Sequence, residues 1–193
     1  MTDFAMFDER PVIVCVAGPN GAGKTTFYRS HLADTSLPFV NADVLANELD
    51  ADAYEAARIA DVIRRTLVAR RDSFIFETVF SDPVGEKVAF LKSAAESGYN
   101  VVLCFVGISS ADISETRVAM RISQGGHDVP SEKLQSRYPR SMENVKAAIE
   151  VLPNVRIFDN DDLSMPYRLV ATFADGEMTL SSDPIPQWLQ ALL

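Results

Sequence analysis

Residues 18–26 read GPNGAGKTT and fit the pattern Gly-x-x-x-x-Gly-Lys-Thr through Gly18, Gly23, Lys24 and Thr25. Each residue type in this pattern meets a demand of polyphosphate chemistry. Glycines let successive backbone N–H groups converge on phosphate oxygens, lysine brings a point charge to the β- and γ-phosphates, and the threonine hydroxyl ligates Mg2+. A helix starting at the lysine adds the positive end of its dipole. Gly18, Pro19, Asn20, Gly21, Ala22, Gly23, Lys24, Thr25 and Thr26 are therefore the candidate nucleotide-binding residues, with Lys24 a catalytic candidate and Thr25 the candidate metal ligand.

Such a loop works only between a strand and a helix, and the flanking sequence supplies both. Apolar runs of strand length occur at 11–17 (PVIVCVA), 39–42 (FVNA), 73–78 (SFIFET), 100–107 (NVVLCFVG) and 154–159 (NVRIFD). Near-continuous apolar strands belong to a parallel sheet covered on both faces. Helical patterns separate them. Residues 51–71 place Ala56, Ile59, Ala60, Ile63 and Leu67 on one face, with five arginines, Arg58 to Arg71, expected on a solvated face. Residues 82–98 carry Pro83 in an expected first turn and stop at Gly98, and 109–126 start from a serine cap and stop at Gly125-Gly126. This alternation predicts an α/β fold, a doubly wound and mostly parallel sheet with right-handed crossovers. Residues 167–182 read as a hairpin turning at Asp175-Gly176, adding antiparallel strands at the sheet edge, and 184–193 as a short closing helix. The expected organisation is one domain over 1–193, with a lid at about 117–146 and the hairpin and helix at about 166–193.

In doubly wound sheets ligands bind beyond the carboxyl ends of the strands. Polar residues at those ends are Asn41 and Asp43, Glu77 and Thr78, and Asp159 and Asn160. Asp43 reads either as a catalytic carboxylate or as a helix cap. Phosphoryl transfer also needs positive charge over the triphosphate. The chain has a net charge of −9, yet between Arg117 and Lys146 there are six Lys or Arg against three Asp or Glu. Arg117 and Arg121 lie one helical turn apart before Gly125-Gly126, and Arg137 and Arg140 follow. A glycine hinge with an arginine clamp describes a lid; incidental arginines on a solvated helix face are the alternative.

The acidic balance argues against broad nucleic-acid binding, which needs a basic surface. The opening MTDFAMFDERP lacks a basic segment followed by an apolar core, and no run of about 18 apolar residues occurs, so a cytoplasmic protein without membrane association is expected. Cys15 and Cys104 sit in apolar runs and read as buried free thiols, and no Cys or His has metal-ligand spacing.

GPNGAGKTT, FVNAD, FETVFS, GYNVVLCFVG, RVAMRISQGGHDVP and RYPRSMENV together resemble the zeta toxin family, in its compact bacterial branch, over roughly residues 11–160. The resemblance implies a P-loop kinase fold that uses ATP and Mg2+ to phosphorylate a hydroxyl of UDP-N-acetylglucosamine or a related sugar nucleotide, with a separate antitoxin as a possible partner. It implies that Asp43 is the base for the sugar hydroxyl. It further implies that Glu77 and Thr78 contact the sugar nucleotide and that the lid arginines clamp the ATP phosphates; Arg117 and Arg121 are the nucleotide-binding candidates among them, Arg121 also a catalytic one, and Asn41, Ser81, Arg137 and Arg140 complete the candidate substrate-binding residues. Two departures bear on the acceptor: ETVFSD has no arginine where larger members carry one after the strand-three glutamate, and His127 stands where those members carry arginine. Two other readings stay open, a kinase for an antibiotic or nucleoside hydroxyl and a regulatory P-loop ATPase. The Glu-Thr end of SFIFET, in place of Asp-Glu, favours the kinases.

Overall fold

The computed structural model describes residues 10–123 and 129–193. The expected hinge Gly125-Gly126 and His127 lie outside the described residues. The apolar runs form strands β1 (Val12–Ala17), β2 (Phe39–Val40), β3 (Phe74–Thr78), β4 (Asn100–Gly107) and β5 (Asn154–Asp159), followed by β6 (Arg168–Ala174) and β7 (Glu177–Ser181). They make one sheet in the order β2-β3-β1-β4-β5-β6-β7, parallel through β5 and antiparallel beyond it. The helices are α1 (Lys24–His31), α2 (Ala42–Leu49), α3 (Ala53–Ala69), α4 (Glu86–Glu96), α5 (Ala111–Ile122), α6 (Ser131–Val151) and α7 (Gln187–Gln190). No helix among the described residues is long and apolar enough to cross a membrane.

Alternate residues of each central strand feed two cores. Ile13, Cys15, Phe74, Phe76, Leu103 and Phe105 pack under α3, α4, α6 and α7. Val12, Val14, Val16, Val102, Cys104 and Val106 pack with Phe27 of α1 and Ile113 of α5. Removing a large side chain of this kind costs about 2–5 kcal/mol, so the two cores hold the strand ends, and the polar residues on them, in fixed register. Both cysteines are buried free thiols. Burial pushes Cys104 up to about 12.

The hairpin turns at Asp175-Gly176, both with positive φ (50° and 84°), and the closing helix is α7. Several expectations are corrected. β2 stops at Val40 because Asn41 is already the cap of α2. α4 starts at Glu86 instead of around Pro83: Gly85 occupies its cap position at φ 70°, and the Asp82 carboxylate accepts the backbone N–H of Glu86. α5 stops at Ile122. Arg64 is buried rather than solvated. It stacks over Phe76 at 5.1 Å and donates to Asp61 at 3.0 Å.

The 21-residue α6 has no counterpart among the sequence expectations, because Pro139 lies inside it. Pro139 cannot donate to the Gln135 carbonyl one turn earlier. Beside that gap the Arg140 side chain donates to the Ser136 carbonyl at 2.9 Å and to its hydroxyl at 3.3 Å. The inward face, Leu134, Met142, Val145 and Ile149, keeps the helix on the sheet.

Candidate active site

The loop between β1 and α1 is built for close approach. Gly18, Gly21 and Gly23 all have positive φ (145°, 72° and 92°). A Cβ on Gly18 would meet the Val106 carbonyl oxygen at 2.1 Å, and one on Gly23 would meet Asn160 Nδ2 at 2.8 Å and the Tyr167 hydroxyl at 2.9 Å. No other residue type satisfies both the conformation and the space. Lys24, the first residue of α1, is buried at 6% exposure, and its Nζ donates to the Pro19 carbonyl at 3.0 Å.

Glu77, at the end of β3, is the hub of the polar cluster. β3 lies between β2 and β1, so its terminal carboxylate reaches residues from both neighbours. Glu77 Oε2 accepts from the Thr25 hydroxyl and from Asn41 Nδ2, each at 2.8 Å, and Oε1 is 4.0 Å from Lys24 Nζ. Glu77 and Asn41 thus share one hydrogen-bonded cluster with Thr25 at the start of α1. Asn41 Oδ1 in turn accepts the backbone N–H of Asp43 at 2.8 Å and of Val44 at 3.3 Å. Asn41 is therefore the cap of α2, and the exposed Asp43 is not.

Charge converges on Lys24. Burial lowers its pKa, the carboxylates of Glu77 and Asp43 work against that shift, and the cations Arg121 and Arg137 add to it. Asp43, Glu77, Arg121 and Arg137 thus act on one point, although they come from α2, β3, α5 and α6. Arg140 is not among these charges; its guanidinium is engaged within its own helix. Arg117 packs beside the loop, its Cβ 3.1 Å from where a Cβ on Gly21 would sit, and donates to the Asp161 carbonyl at 2.9 Å. Its Nη1 is buried with no hydrogen-bond partner, as is the Asn20 Oδ1 within the loop.

Thr78 ends β3, and Ser81 belongs to the turn that follows. The Thr78 hydroxyl accepts the backbone N–H of Phe80 at 3.1 Å, and Phe80 is buried at φ 61°. α6 grips this turn: Ser141 Oγ donates to the Val79 carbonyl at 2.7 Å, and Asn144 Nδ2 to the Phe80 and Asp82 carbonyls at 2.9 Å each. Ser141 and Asn144 had no signal in the sequence beyond being polar residues on the inner stripe of an unrecognised helix.

At the end of β5, Asp159 and Asn160 divide. Asp159 accepts from Trp188 Nε1 at 3.0 Å and pairs with Arg168 at 3.3 Å, away from the loop. Asn160 donates to the Ala22 carbonyl at 2.8 Å, inside the loop. On the other flank Ser114 Oγ donates to the Asn20 carbonyl at 2.7 Å.

The donor set fits both a polyphosphate and a magnesium ion. The unpartnered buried Arg117 Nη1 and the buried Lys24 beside the loop are donors for phosphate oxygens. The Thr25 hydroxyl and the Glu77 carboxylate are adjacent hard oxygen donors, and Mg2+ is commonly held by one or two protein oxygens together with substrate phosphates. No group of three or more His, Cys, Asp or Glu that could hold a metal on its own occurs among the described residues.

A family model described as an AAA domain matches residues 13–140. An uncharacterized protein of Haemophilus influenzae is 28% identical over 127 residues, which cover 63% of this chain and 88% of that protein. Among solved structures, the PezAT chromosomal toxin-antitoxin system of Streptococcus pneumoniae matches with a TM-score of 0.59 at 17% identity, over 95% of this chain and 85% of the other. The AvrRxo1-ORF1:-ORF2 complex with ATP matches with a TM-score of 0.59 at 17% identity over 89% of this chain, which spans 60% of the length of that protein. Shikimate kinase from Acinetobacter baumannii, in complex with shikimate, matches with a TM-score of 0.51 at 16% identity, over 81% of this chain and 88% of the enzyme. The mostly parallel sheet with antiparallel strands at its C-terminal edge is thus the fold of P-loop kinases.

Proposed function

The chain belongs to the AAA domain family, and from that premise we propose that it is an ATP-dependent small-molecule kinase of the zeta toxin type. It transfers the γ-phosphate to a hydroxyl of UDP-N-acetylglucosamine or a related sugar nucleotide. The observation that carries this reading is the division of labour between two acids. Glu77 is held on Thr25, Asn41 and Lys24, while Asp43 stays exposed and within electrostatic reach of Lys24.

In this mechanism the backbone N–H groups of the glycine loop and the start of α1 hold the ATP phosphates. Lys24 gives up its contact with Pro19 and neutralises charge on the transferring group. Mg2+ would supply charge neutralisation at the phosphates. Thr25 and Glu77 would hold it, with Asn41 orienting the Glu77 carboxylate. Asp43 accepts the proton of the attacking hydroxyl. Arg121 and Arg137 stabilise the charge that develops on the equatorial oxygens, and Arg117 orients the nucleotide beside the loop. A regulatory ATPase is expected to end this strand in Asp-Glu, to hold Mg2+ and polarise water. Here Thr78 follows Glu77 instead, its hydroxyl occupied by the Phe80 N–H.

The turn Val79–Asp82 contains no cation. That favours, as a second reading, a less anionic acceptor such as an antibiotic or nucleoside hydroxyl. The PezAT and AvrRxo1 complexes support proposing a separate antitoxin-like protein as a partner. Incubation with ATP and Mg2+ and a panel of sugar nucleotides, nucleosides, aminoglycosides and phenicols, read by mass, tests the reading. One acceptor is expected to gain one phosphoryl group. ATP turnover that no acceptor stimulates would contradict it.

A further inference from the structure

Two carbonyls of the phosphate loop are claimed by residues far along the chain. Asn160 Nδ2 donates to the Ala22 carbonyl at 2.8 Å, and the Tyr167 hydroxyl donates to the Gly23 carbonyl at 3.0 Å. The Gly23 carbonyl also accepts the first backbone bond of α1, from Phe27 at 2.9 Å. The two donors are tied to each other, because Asn160 Oδ1 accepts the Tyr167 backbone N–H at 3.2 Å. Tyr167 is held at φ 58°.

A trans peptide is planar, so its C=O and the following N–H point in opposite directions. Fixing the Ala22 carbonyl therefore fixes the Gly23 N–H, and fixing the Gly23 carbonyl fixes the Lys24 N–H. These are the N–H groups that a Gly-x-x-x-x-Gly-Lys loop turns toward phosphate.

The strand end bearing Asn160 is itself locked. The Asn160 N–H donates to the Gly107 carbonyl at 3.0 Å, and the preceding Asp159 accepts from Trp188 Nε1 at 3.0 Å. The Trp188 ring lies so close to Gly107 that a Cβ there would fall 2.1 Å from it. The contact runs from α7, at the end of the chain, through β4 and β5 to the loop.

We propose that Asn160 and Tyr167 are positioning residues that pre-set the two peptide planes of the phosphate loop, and that Trp188 holds the strand end presenting them. The connection between β5 and β6, braced by α7, thereby sets nucleotide affinity through the backbone of the loop. This rests on the reading that residues 18–26 bind ATP.

Calorimetric titration of the full chain with ATP and Mg2+, alongside melting curves, tests it. Tyr167→Phe removes one hydroxyl and should weaken ATP binding about three- to tenfold, the worth of one neutral hydrogen bond. Acceptor KM should stay unchanged. Trp188→Phe keeps an aromatic ring on Gly107 but loses the Nε1 donor, and should act in the same direction. Tyr99→Phe is the control. Its hydroxyl lies near three carbonyls, of Leu67, Val68 and Asp72, at the opposite end of the sheet. Its loss should lower the melting temperature and leave ATP affinity alone. Native affinity in Tyr167→Phe would overturn the positioning role while leaving the nucleotide site standing, and that variant decides the matter if Trp188→Phe does not fold. Failure of the native protein to bind ATP would overturn the site and the positioning role together.

Discussion

The backbone N–H of Asp43 donates to the Asn41 side chain at 2.8 Å, which makes Asn41 the cap of α2 and leaves the Asp43 carboxylate without that duty. In sequence the two roles are interchangeable, since either residue can cap a helix. In the structure they separate, and the separation decides which substitution should stop chemistry and which should cost stability.

Asp43→Asn is expected to lower kcat by about 10²–10⁴, the usual worth of a positioned base, with ATP affinity within a few-fold of native and an unchanged melting temperature. Asn41→Ala should instead destabilise the protein by about 1 kcal/mol through the lost cap, and more through the freed Glu77 oxygen. Steady-state kinetics with denaturation curves on both variants separates the two effects. If Asp43→Asn melts early and turns over normally, Asp43 is a structural residue.

Lys24 gives the account a pH dependence. Burial holds its pKa below the ordinary lysine value, Glu77 and Asp43 partly oppose this, and Arg121 and Arg137 reinforce it. Bound phosphates raise the pKa again. Below the free-protein pKa this group leaves affinity flat; between the free and bound values each ATP bound takes up a proton and affinity falls as pH rises. Calorimetry in buffers of different ionisation enthalpy should detect that uptake at a lower pH than an ordinary lysine would give. Lys24→Met should abolish it, along with transfer.

The arginines should fall into two classes. Arg121→Ala and Arg137→Ala remove charges that act at Lys24, and each is expected to reduce kcat by about 10²–10³, as for a lost transition-state donor. Arg140 is bonded to Ser136 beside the Pro139 gap, so Arg140→Ala should lower the melting temperature and leave kcat within a few-fold. Equal kinetic losses in all three would mean that the segment acts as a diffuse positive surface.

The five parallel strands were legible because buried strands need uninterrupted apolar runs, and the phosphate loop because its glycines and lysine are adjacent in sequence. The members of the Glu77 cluster were legible as a loop threonine and polar strand ends, but their bonds to one another were not. Thr25, Asn41 and Glu77 meet only because β3 lies between β2 and β1, and strand order is a property of crossovers, not of local pattern. α6 was hidden by Pro139, a residue that breaks helices unless packing outweighs the lost bond. The spacing of Leu134, Met142, Val145 and Ile149 carried the helical signal throughout. Tyr167 and Trp188 read only as parts of a hairpin and a closing helix, and their contacts with the loop and with Asp159 span sequence separations of 144 and 29 residues.

The most direct measurement is the rate of ADP formation with and without a phosphorylated product, in native protein and in Asp43→Asn. The account predicts ADP formation in the native protein that depends on an added hydroxyl acceptor, matched one for one by phosphorylated acceptor, and that Asp43→Asn slows by at least about 10² while ATP still binds. ADP released at the same rate with no acceptor present, and equally fast in Asp43→Asn, would contradict it.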